Sequence, residues 1–167
     1  FYVPGYGLRS AASTLIGNSI GEENKKKLKT VGILSVLLTV AVMCVSGLVL
    51  FFGAYLLMSL FTPSRPAVDL GAEMLRLVAL SEPFFGLMVV LEGIFYGLGR
   101  TRYSFIVETV GMWCVRILFT FLCVRYWGLG LRAVWYCMIA DNVCKAVLFA
   151  VPFLTKRSRV RQWLGRP

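Results

Sequence analysis

The stretch that decides the fold runs from Leu80 to Arg102 and reads LSEPFFGLMVVLEGIFYGLGRTR. It is long and apolar enough to form a membrane-spanning helix, because about 20 helical residues cross a hydrocarbon core of about 30 Å. The stretch nevertheless contains two carboxylic acids, Glu82 and Glu92, and a proline at position 83. Ionisable groups inside a membrane segment are costly and are functional candidates by default. We therefore expect this helix to face a hydrated interior.

The composition of the whole chain is that of a membrane protein. Of its 167 residues, 58% are hydrophobic and only 16% are charged, and the mean hydropathy is +0.76. A soluble domain carries about 25% charged residues. The chain has 18 Lys and Arg against 8 Asp and Glu, so the positions of the cations decide what this positive balance means.

Apolar runs divide the chain into five helices. The pattern predicts helices over 1–20, 28–61, 67–98, 103–126 and 131–155, followed by a basic tail over 156–167. The first run is short and begins without methionine or a polar cap, so we interpret it as the remaining part of a helix and the chain as a fragment. The predicted fold class is an all-α, polytopic membrane helix bundle.

Successive loops alternate between many and few Lys and Arg residues. The loops after the first and third helices, together with the tail, hold 11 Lys and Arg, whereas the two other loops hold 3. The positive-inside rule places the rich set in the cytoplasm. We therefore expect a multi-pass protein of the inner (plasma) membrane with a cytoplasmic carboxyl terminus. A basic tail could also bind nucleic acid or acidic lipid headgroups, but anchoring is the better interpretation and no nucleic-acid partner is expected.

The residue inventory argues against an enzyme. The chain has no histidine, and its five cysteines lie inside apolar spans without a C-x-x-C pair, so we interpret them as small packing residues. Gly93, Gly97 and Gly99 form G-x-x-x-G-x-G, but no strand precedes them and the dinucleotide motif is incomplete. Close helix packing at 93 and 97 and a helix end at 99 explain these glycines better. We expect no catalytic residues, no metal and no cofactor.

Depth separates the ionisable residues of the spans. At about 1.5 Å per residue, Glu92 and Glu108 lie about 10 Å above the cytoplasmic loop that joins their helices. Arg116 and Asp141 lie roughly 21 to 23 Å above the inner boundary, and Glu82 lies about 25 Å above it. The first two therefore share the inner third of the membrane, and the others lie around the midplane and beyond.

Several pairings between these residues are open. Asp141 and Lys145 are four residues apart with the acid first, which is the favourable order for an ion pair on one helix face. Both a structural pair and a transport role fit that spacing. Arg116 lies at a depth where it can reach Asp141 or Glu82, and we expect a structural role for it because arginine stays charged and cannot cycle protons.

Glu82 and Glu92 are the acids that can titrate. Pro83 has no N–H, so it frees a carbonyl one turn earlier, near Ala79, and a carboxylate beside free carbonyls suits a cation or proton site. Glu92 could be hydrated or pair with Lys145. The candidates for cation coupling or substrate binding are Glu82, Glu92 and Asp141. The candidates for structural or gating charges are Glu108, Arg116 and Lys145.

Four motifs resemble one transporter family in their order and spacing. They are AASTLIGNSIGEENKKK (11–27), GIFYGLGRTR (93–102), MWCVRI (112–117) and GLGLRAVWYCMIADN (128–142). The chain is similar, over essentially its whole length, to the second half of the multidrug and toxic compound extrusion (MATE) transporters. The resemblance implies the eighth to twelfth helices, and hence most of the C-terminal lobe, of a twelve-helix antiporter with two lobes.

The resemblance also implies an activity. Members export small amphipathic, often cationic, organic compounds by alternating access, driven by inward flow of Na⁺ or H⁺. The implied partners are the lipid bilayer and the missing N-terminal lobe, without which this segment should not transport. One position departs from the family: the acid of the tenth helix in many members falls at Phe85 here, and Glu82 lies one turn away.

Two other functions stay open on the sequence. A lipid-linked oligosaccharide flippase of the same superfamily would favour a cationic cavity for its anionic cargo. The candidates singled out within the spans are instead four acids, Glu82, Glu92, Glu108 and Asp141, and two bases, Arg116 and Lys145. A non-transporting membrane anchor or assembly subunit leaves the acids without a role, although paired polar groups can join membrane helices at about 0.6 kcal/mol per contact.

Overall fold

The chain folds into six α-helices joined by short turns and one π-helical segment in the computed structural model, which describes residues 1–127 and 131–154. The elements are α1 (Val3–Gly21), α2 (Lys25–Phe61), α3 (Arg65–Gly97), α4 (Thr101–Val110), the π-helical segment (Gly111–Leu118), α5 (Phe119–Trp127) and α6 (Leu131–Leu154). The described residues contain no β-strand. The predicted all-α class is confirmed, and the predicted basic tail, 156–167, lies outside the described residues.

Four of the helical stretches are long and apolar enough to cross a membrane. They are Lys25–Phe61, Arg65–Gly97, Thr101–Arg125 and Ala133–Pro152. In the most apolar window of α3, 61% of the residues are buried, against 22% in that of α2. Side chains such as Phe52 and Phe61 of α2 are 78% and 84% exposed, which suits contact with lipid. The bundle is therefore built around α3.

Local sequence explains where these helices begin and end. Asn24 caps α2, because its Oδ1 accepts a hydrogen bond from the N–H of Lys27 at 3.0 Å. Pro66 lies in the first turn of α3, where a missing N–H has no helical partner to lose. Beyond α3, Gly99 has a φ of +70°, a left-handed conformation that favours glycine. The predicted helix end at Gly99 is confirmed.

Glycines of α3 bring α1 into backbone contact. A Cβ at Gly93 would lie 2.5 Å from the Arg9 carbonyl oxygen, and one at Gly97 would lie 2.6 Å from the Ser13 carbonyl oxygen. Any larger side chain would push α1 away, so the predicted close packing at both positions is confirmed. The apolar core on this side includes Ile16, Met43, Phe85, Phe95 and Phe149, from four helices.

The span after α3 is not a regular α-helix throughout. The sequence predicted a helix over 103–126, and the structure inserts eight π-helical residues, Gly111–Leu118, between α4 and α5. A π-helix has a wider turn with i→i+5 hydrogen bonds; it is rare, interrupts α-helices and is frequent at functional sites. No residue pattern in the sequence had indicated it.

Candidate functional site

The ionisable residues of the spans occupy three separate places. Glu82 stands apart from the others, in the middle of α3. Glu92, ten positions further along the same helix, meets α1. Glu108, Asp141 and Lys145 come together where α4 and the π-helical segment pack against α6.

Glu82 is a buried acid without a hydrogen-bond partner. Its residue surface is 1% exposed, and neither carboxylate oxygen has a partner among the described residues. An ionised carboxylate that is removed from water and left unpaired is strongly destabilising. We therefore expect the buried Glu82 carboxyl group either to be protonated or to have a cation bound beside it.

The backbone next to Glu82 is opened by Pro83, which lies inside α3. Because proline has no N–H, the Ala79 carbonyl loses its helical donor. Gly47 of α2 lies directly against this carbonyl: a Cβ at position 47 would be 2.8 Å from the Ala79 oxygen and 3.2 Å from Cβ of Glu82. At this point α2 therefore presents Gly47, which has no side chain that could donate a hydrogen bond to Glu82.

Aromatic residues of the first helix cover the next turn of α3. The ring centres of Tyr2 and Tyr6 lie 4.5 Å and 5.8 Å from that of Phe85. Phe85 is itself buried and lies on the turn that follows Glu82. Two tyrosine rings from the start of the chain therefore pack against the turn of α3 that follows Glu82.

Arg116 does not form the ion pairs that its depth allowed. It is exposed on the π-helical segment, and within the described part of the chain no carboxylate lies within 4.0 Å of it. The structure shows neither of the two pairings that the depth of Arg116 allowed, with Asp141 or with Glu82. The physical reason is orientation: Gly111, not Arg116, is the residue of this segment that packs on Asp141.

Glu92 forms an ion pair with Arg9, a residue that sequence reasoning missed. Nη1 of Arg9 donates to Oε2 of Glu92 at 2.8 Å, and the Tyr96 hydroxyl donates to Oε1 at 2.7 Å. Of the two alternatives left open for Glu92, hydration or pairing with Lys145, the structure shows neither, because the contact of α1 at Gly93 places Arg9 beside the acid. Arg9 is the one charged residue in positions 1–20, and the depth argument applied to the other spans would have found it.

Lys145 bridges two acids from different helices. Its Nζ donates to Oε2 of Glu108 at 2.9 Å and lies 3.1 Å from Oδ2 of Asp141, so the predicted Asp141–Lys145 pair is confirmed. Asp141 is 0% exposed, and its oxygens lack hydrogen-bond alignment with any described donor. One ammonium thus serves two carboxylates, so the three side chains together have one formal negative charge when all are ionised.

Gly111 makes room for two of these side chains, those of Asp141 and Lys145. A Cβ at this position would overlap Cε of Lys145 and would lie 2.6 Å from Oδ1 of Asp141. The π-helical segment therefore begins at a glycine against which α6 packs closely. Within residues 1–127 and 131–154, no group of three or more His, Cys, Asp or Glu side chains is arranged to hold a metal ion.

A family comparison agrees with this fold. The MatE family model matches residues 1–122. The helix bundle of apolar spans is that of a multi-pass membrane transporter, and the chain belongs to the MATE family. The resemblance seen in the four sequence motifs is confirmed, and the family consists of transporters rather than enzymes.

Curated relatives carry multidrug-transporter names. The chain is 28% identical, over 99% of its length, to the probable multidrug resistance protein NorM of Thermotoga maritima, of which it covers 36%. It is 30% identical, over 95% of its length, to the multidrug resistance protein NorM of Burkholderia vietnamiensis, of which it covers 35%. Human multidrug and toxin extrusion protein 1 is 26% identical over 89% of the chain. The chain spans about a third of the length of the two NorM relatives.

Solved structures share the arrangement of helices. An inward-facing multidrug resistance MATE transporter of the MOP superfamily superposes with a TM-score of 0.82 at 24% identity, covering 97% of this chain and 37% of its own. A MOP superfamily transporter from Pyrococcus furiosus gives 0.83 at 23% identity, covering 99% of this chain and 36% of its own. The latter is described as having a binding pocket of reversed polarity that suggests a different function. At these identities the likeness shows the fold alone.

Proposed function

We propose that this chain is the C-terminal lobe segment of a multidrug exporter that moves small amphipathic organic cations out of the cell in exchange for Na⁺ or H⁺. The names of the relatives support multidrug export. The proposed ion coupling rests on the surroundings of Glu82. This acid is 1% exposed, and neither carboxylate oxygen has a hydrogen-bond partner in the described residues.

A buried acid of this kind suits ion coupling. When the site is closed to water, the carboxyl group must hold a proton or a cation, because an empty carboxylate is destabilised there. When the site opens, water or an organic cation stabilises the empty carboxylate. If two conformations bind the ion with different affinities, the ion shifts the population towards the conformation that binds it better. Alternating access requires such a shift.

The charges around the spans support a cationic substrate. Arg9 is paired with Glu92, and Lys145 is paired with Glu108 and Asp141. Glu82 differs from these three acids because no described cation pairs with it, so its carboxylate is the one we assign to a ligand. In this proposal its carboxylate alternates between the coupling ion and the positive group of the substrate, and the N-terminal lobe supplies the opposite wall.

A second candidate function is transport of an anionic, lipid-linked sugar. Arg116 favours it, since this arginine is exposed in the middle of a span and no described carboxylate pairs with it. An unpaired guanidinium at that depth needs a polar neighbour and suits a phosphate group. Arg116→Gln separates the candidates, because it should abolish transport of an anionic cargo and leave export of an organic cation in place.

In the proposed topology the protein spans the plasma membrane and its C-terminal tail lies in the cytoplasm. Single cysteines placed at Lys26, Arg100 and Arg161 in a cysteine-free background should label only from the cytoplasmic side. Labelling of any of them by an impermeant maleimide added to intact cells would contradict the topology drawn from the loop charges.

The coupling proposal is tested in a complete transporter that contains this segment. Glu82→Gln keeps size and hydrogen-bonding ability but removes the titratable charge. Export of ethidium into inside-out vesicles, driven by a Na⁺ or a proton gradient, should fall by about tenfold or more. Ethidium binding in detergent and the yield of folded protein should change little.

Glu92→Gln is the matched control, since it removes the same charge ten positions along the same helix. Because Glu92 is already paired, its loss should reduce folded yield or the rate of the conformational change and leave the dependence on the ion gradient intact. Normal export by Glu82→Gln across a range of external pH and Na⁺ would place coupling outside this lobe segment.

A further inference from the structure

Two cysteines face each other across α5 and α6. Sγ of Cys123 and Sγ of Cys137 are 4.0 Å apart, and both residues are 8% exposed. Ala133 is the third buried member of this cluster. The other cysteines, Cys44, Cys114 and Cys144, are half-buried or exposed, and none of them contacts a second thiol within the described ranges. The sequence had suggested only small packing residues for all five.

The positions of these thiols are close to those of a disulfide. An S–S bond is about 2.05 Å long, so the two sulfurs have to approach by about 2 Å. Rotation of two short side chains about χ1 supplies movements of this size. Because the third member of the cluster is an alanine, no bulky side chain of the cluster has to be displaced.

Both cysteines also lie at the same end of the bundle. Cys123 is four residues before Trp127 at the end of α5, and Cys137 is six residues after Leu131 at the start of α6. At about 1.5 Å per residue they lie roughly 6 Å and 9 Å along their helices from the helix ends that residues 128–130 connect. The alternation of loop charges predicts that this end of the helices lies outside the cytoplasm. Disulfides form and persist on that side of a membrane.

We propose that Cys123 and Cys137 are a redox-active thiol pair that oxidises to an intrachain disulfide. One thiolate attacks a low-molecular-weight disulfide such as oxidised glutathione, which forms a mixed disulfide and releases one small thiol. The second thiolate then attacks the protein sulfur of that mixed disulfide and displaces the other small thiol. Two S–H bonds break and one S–S bond forms in the protein. The oxidant takes up the two electrons and two protons and leaves as two thiols.

The disulfide ties the non-cytoplasmic ends of α5 and α6 together, so that the two helices move as one unit. Reduction releases that constraint. The pair does not depend on the substrate or coupling ion proposed above. Only the compartment that oxidises it depends on the proposed topology, and the two are tested separately.

The experiment uses membranes that contain a complete transporter with this segment. They are treated with copper phenanthroline, denatured, alkylated with N-ethylmaleimide and digested with trypsin. Arg125 and Arg132 lie between the two cysteines, so cleavage there separates them. Mass spectrometry should then find peptide 117–125 linked to peptide 133–145, and dithiothreitol should release both.

Matched variants identify the pair. Cys144 shares peptide 133–145 with Cys137, so Cys144→Ser should keep the linked product, whereas Cys123→Ser and Cys137→Ser should each lose it. Cys114, exposed on the π-helical segment, should remain alkylated throughout. Complete alkylation of both Cys123 and Cys137 in the oxidised wild-type protein would overturn the proposal.

A second oxidant tests the compartment. Oxidised glutathione, which does not cross membranes, should produce the same linked peptides when added outside sealed right-side-out vesicles. Formation with copper phenanthroline but not with external glutathione would overturn oxidation from the non-cytoplasmic side.

Discussion

Glu82 and Glu92 are the same residue type on the same helix, yet their surroundings differ. Glu92 accepts hydrogen bonds from Arg9 and Tyr96 at 2.8 Å and 2.7 Å, whereas neither oxygen of Glu82 has a partner in the described chain. Both acids lie beside a glycine contact. At Gly93 the neighbouring helix brings an arginine, and at Gly47 it brings only backbone.

This difference shows how a helix bundle assigns separate roles to two acids. An acid that has an arginine is part of the framework, because removing either partner leaves a buried charge. A buried acid without a partner contributes no described hydrogen bond or ion pair to the framework, and in the proposal above a proton or a coupling cation neutralises it. The following predictions test that distinction in a complete transporter that contains this segment, from the largest expected effect to the smallest.

Arg9→Met should be the most destabilising change, because it turns Glu92 into a second unpaired acid. The Glu92 side chain is 6% exposed and that of Arg9 is 33% exposed, so we expect a loss of about 2 to 4 kcal/mol, somewhat below the value for a fully buried pair. Thermal unfolding in detergent, followed by size-exclusion chromatography, measures it. The double variant Arg9→Met/Glu92→Gln should recover most of the loss, and failure to recover would contradict the pairing.

Asp141→Ala should cost less, about 1 to 3 kcal/mol, because Lys145 keeps Glu108 as a partner. The folded yield in membranes is the measurement. Neutralising Lys145 in the same protein should add to the defect, because Glu108 then loses the partner that it keeps in Asp141→Ala. A yield of Asp141→Ala equal to that of the wild type would remove the structural role of this acid.

Gly47→Ala tests the packing beside the unpaired acid. The added Cβ would lie 2.8 Å from the Ala79 carbonyl oxygen, so α2 has to move away from Glu82 at a cost of about 1 to 2 kcal/mol. Gly7→Ala is the control, since a Cβ there meets nothing within 4 Å. Equal melting temperatures for the two variants would mean that α2 does not press against Glu82.

Glu82→Gln should have the smallest effect on stability, within about 0.5 kcal/mol of the wild type, because no described hydrogen bond or ion pair is lost. The melting temperature, compared with that of Glu92→Gln under identical conditions, is the measurement. If Glu82→Gln lowered the melting temperature as much as Glu92→Gln, Glu82 would also have a stabilising partner, and the proposed difference between the two acids would be wrong.

Part of the candidate site could be predicted from the sequence. Glu82 beside Pro83, and the i,i+4 pair of Asp141 and Lys145, follow from spacing along one helix and need no knowledge of neighbouring helices. Arg9 was missed because the first helix was treated as a remnant and its charge was not placed at a depth. The partners of Glu92 and Lys145 on other helices depend on helix rotation, which residue counting leaves undetermined.

The sequence by itself determined the membrane class, the approximate helices and the MATE family, because hydropathy, helix breaks and motif order are properties of successive residues along the chain. Only the tertiary structure decided that Glu92 meets Arg9, that Glu82 meets no donor in the described residues, and that Cys123 faces Cys137. These outcomes depend on how closely and at what rotation the helices pack. Gly47, Gly93 and Gly111 allow this close approach. The residues that each glycine contacts lie on another helix, so the contacts cannot be read from the sequence around the glycine.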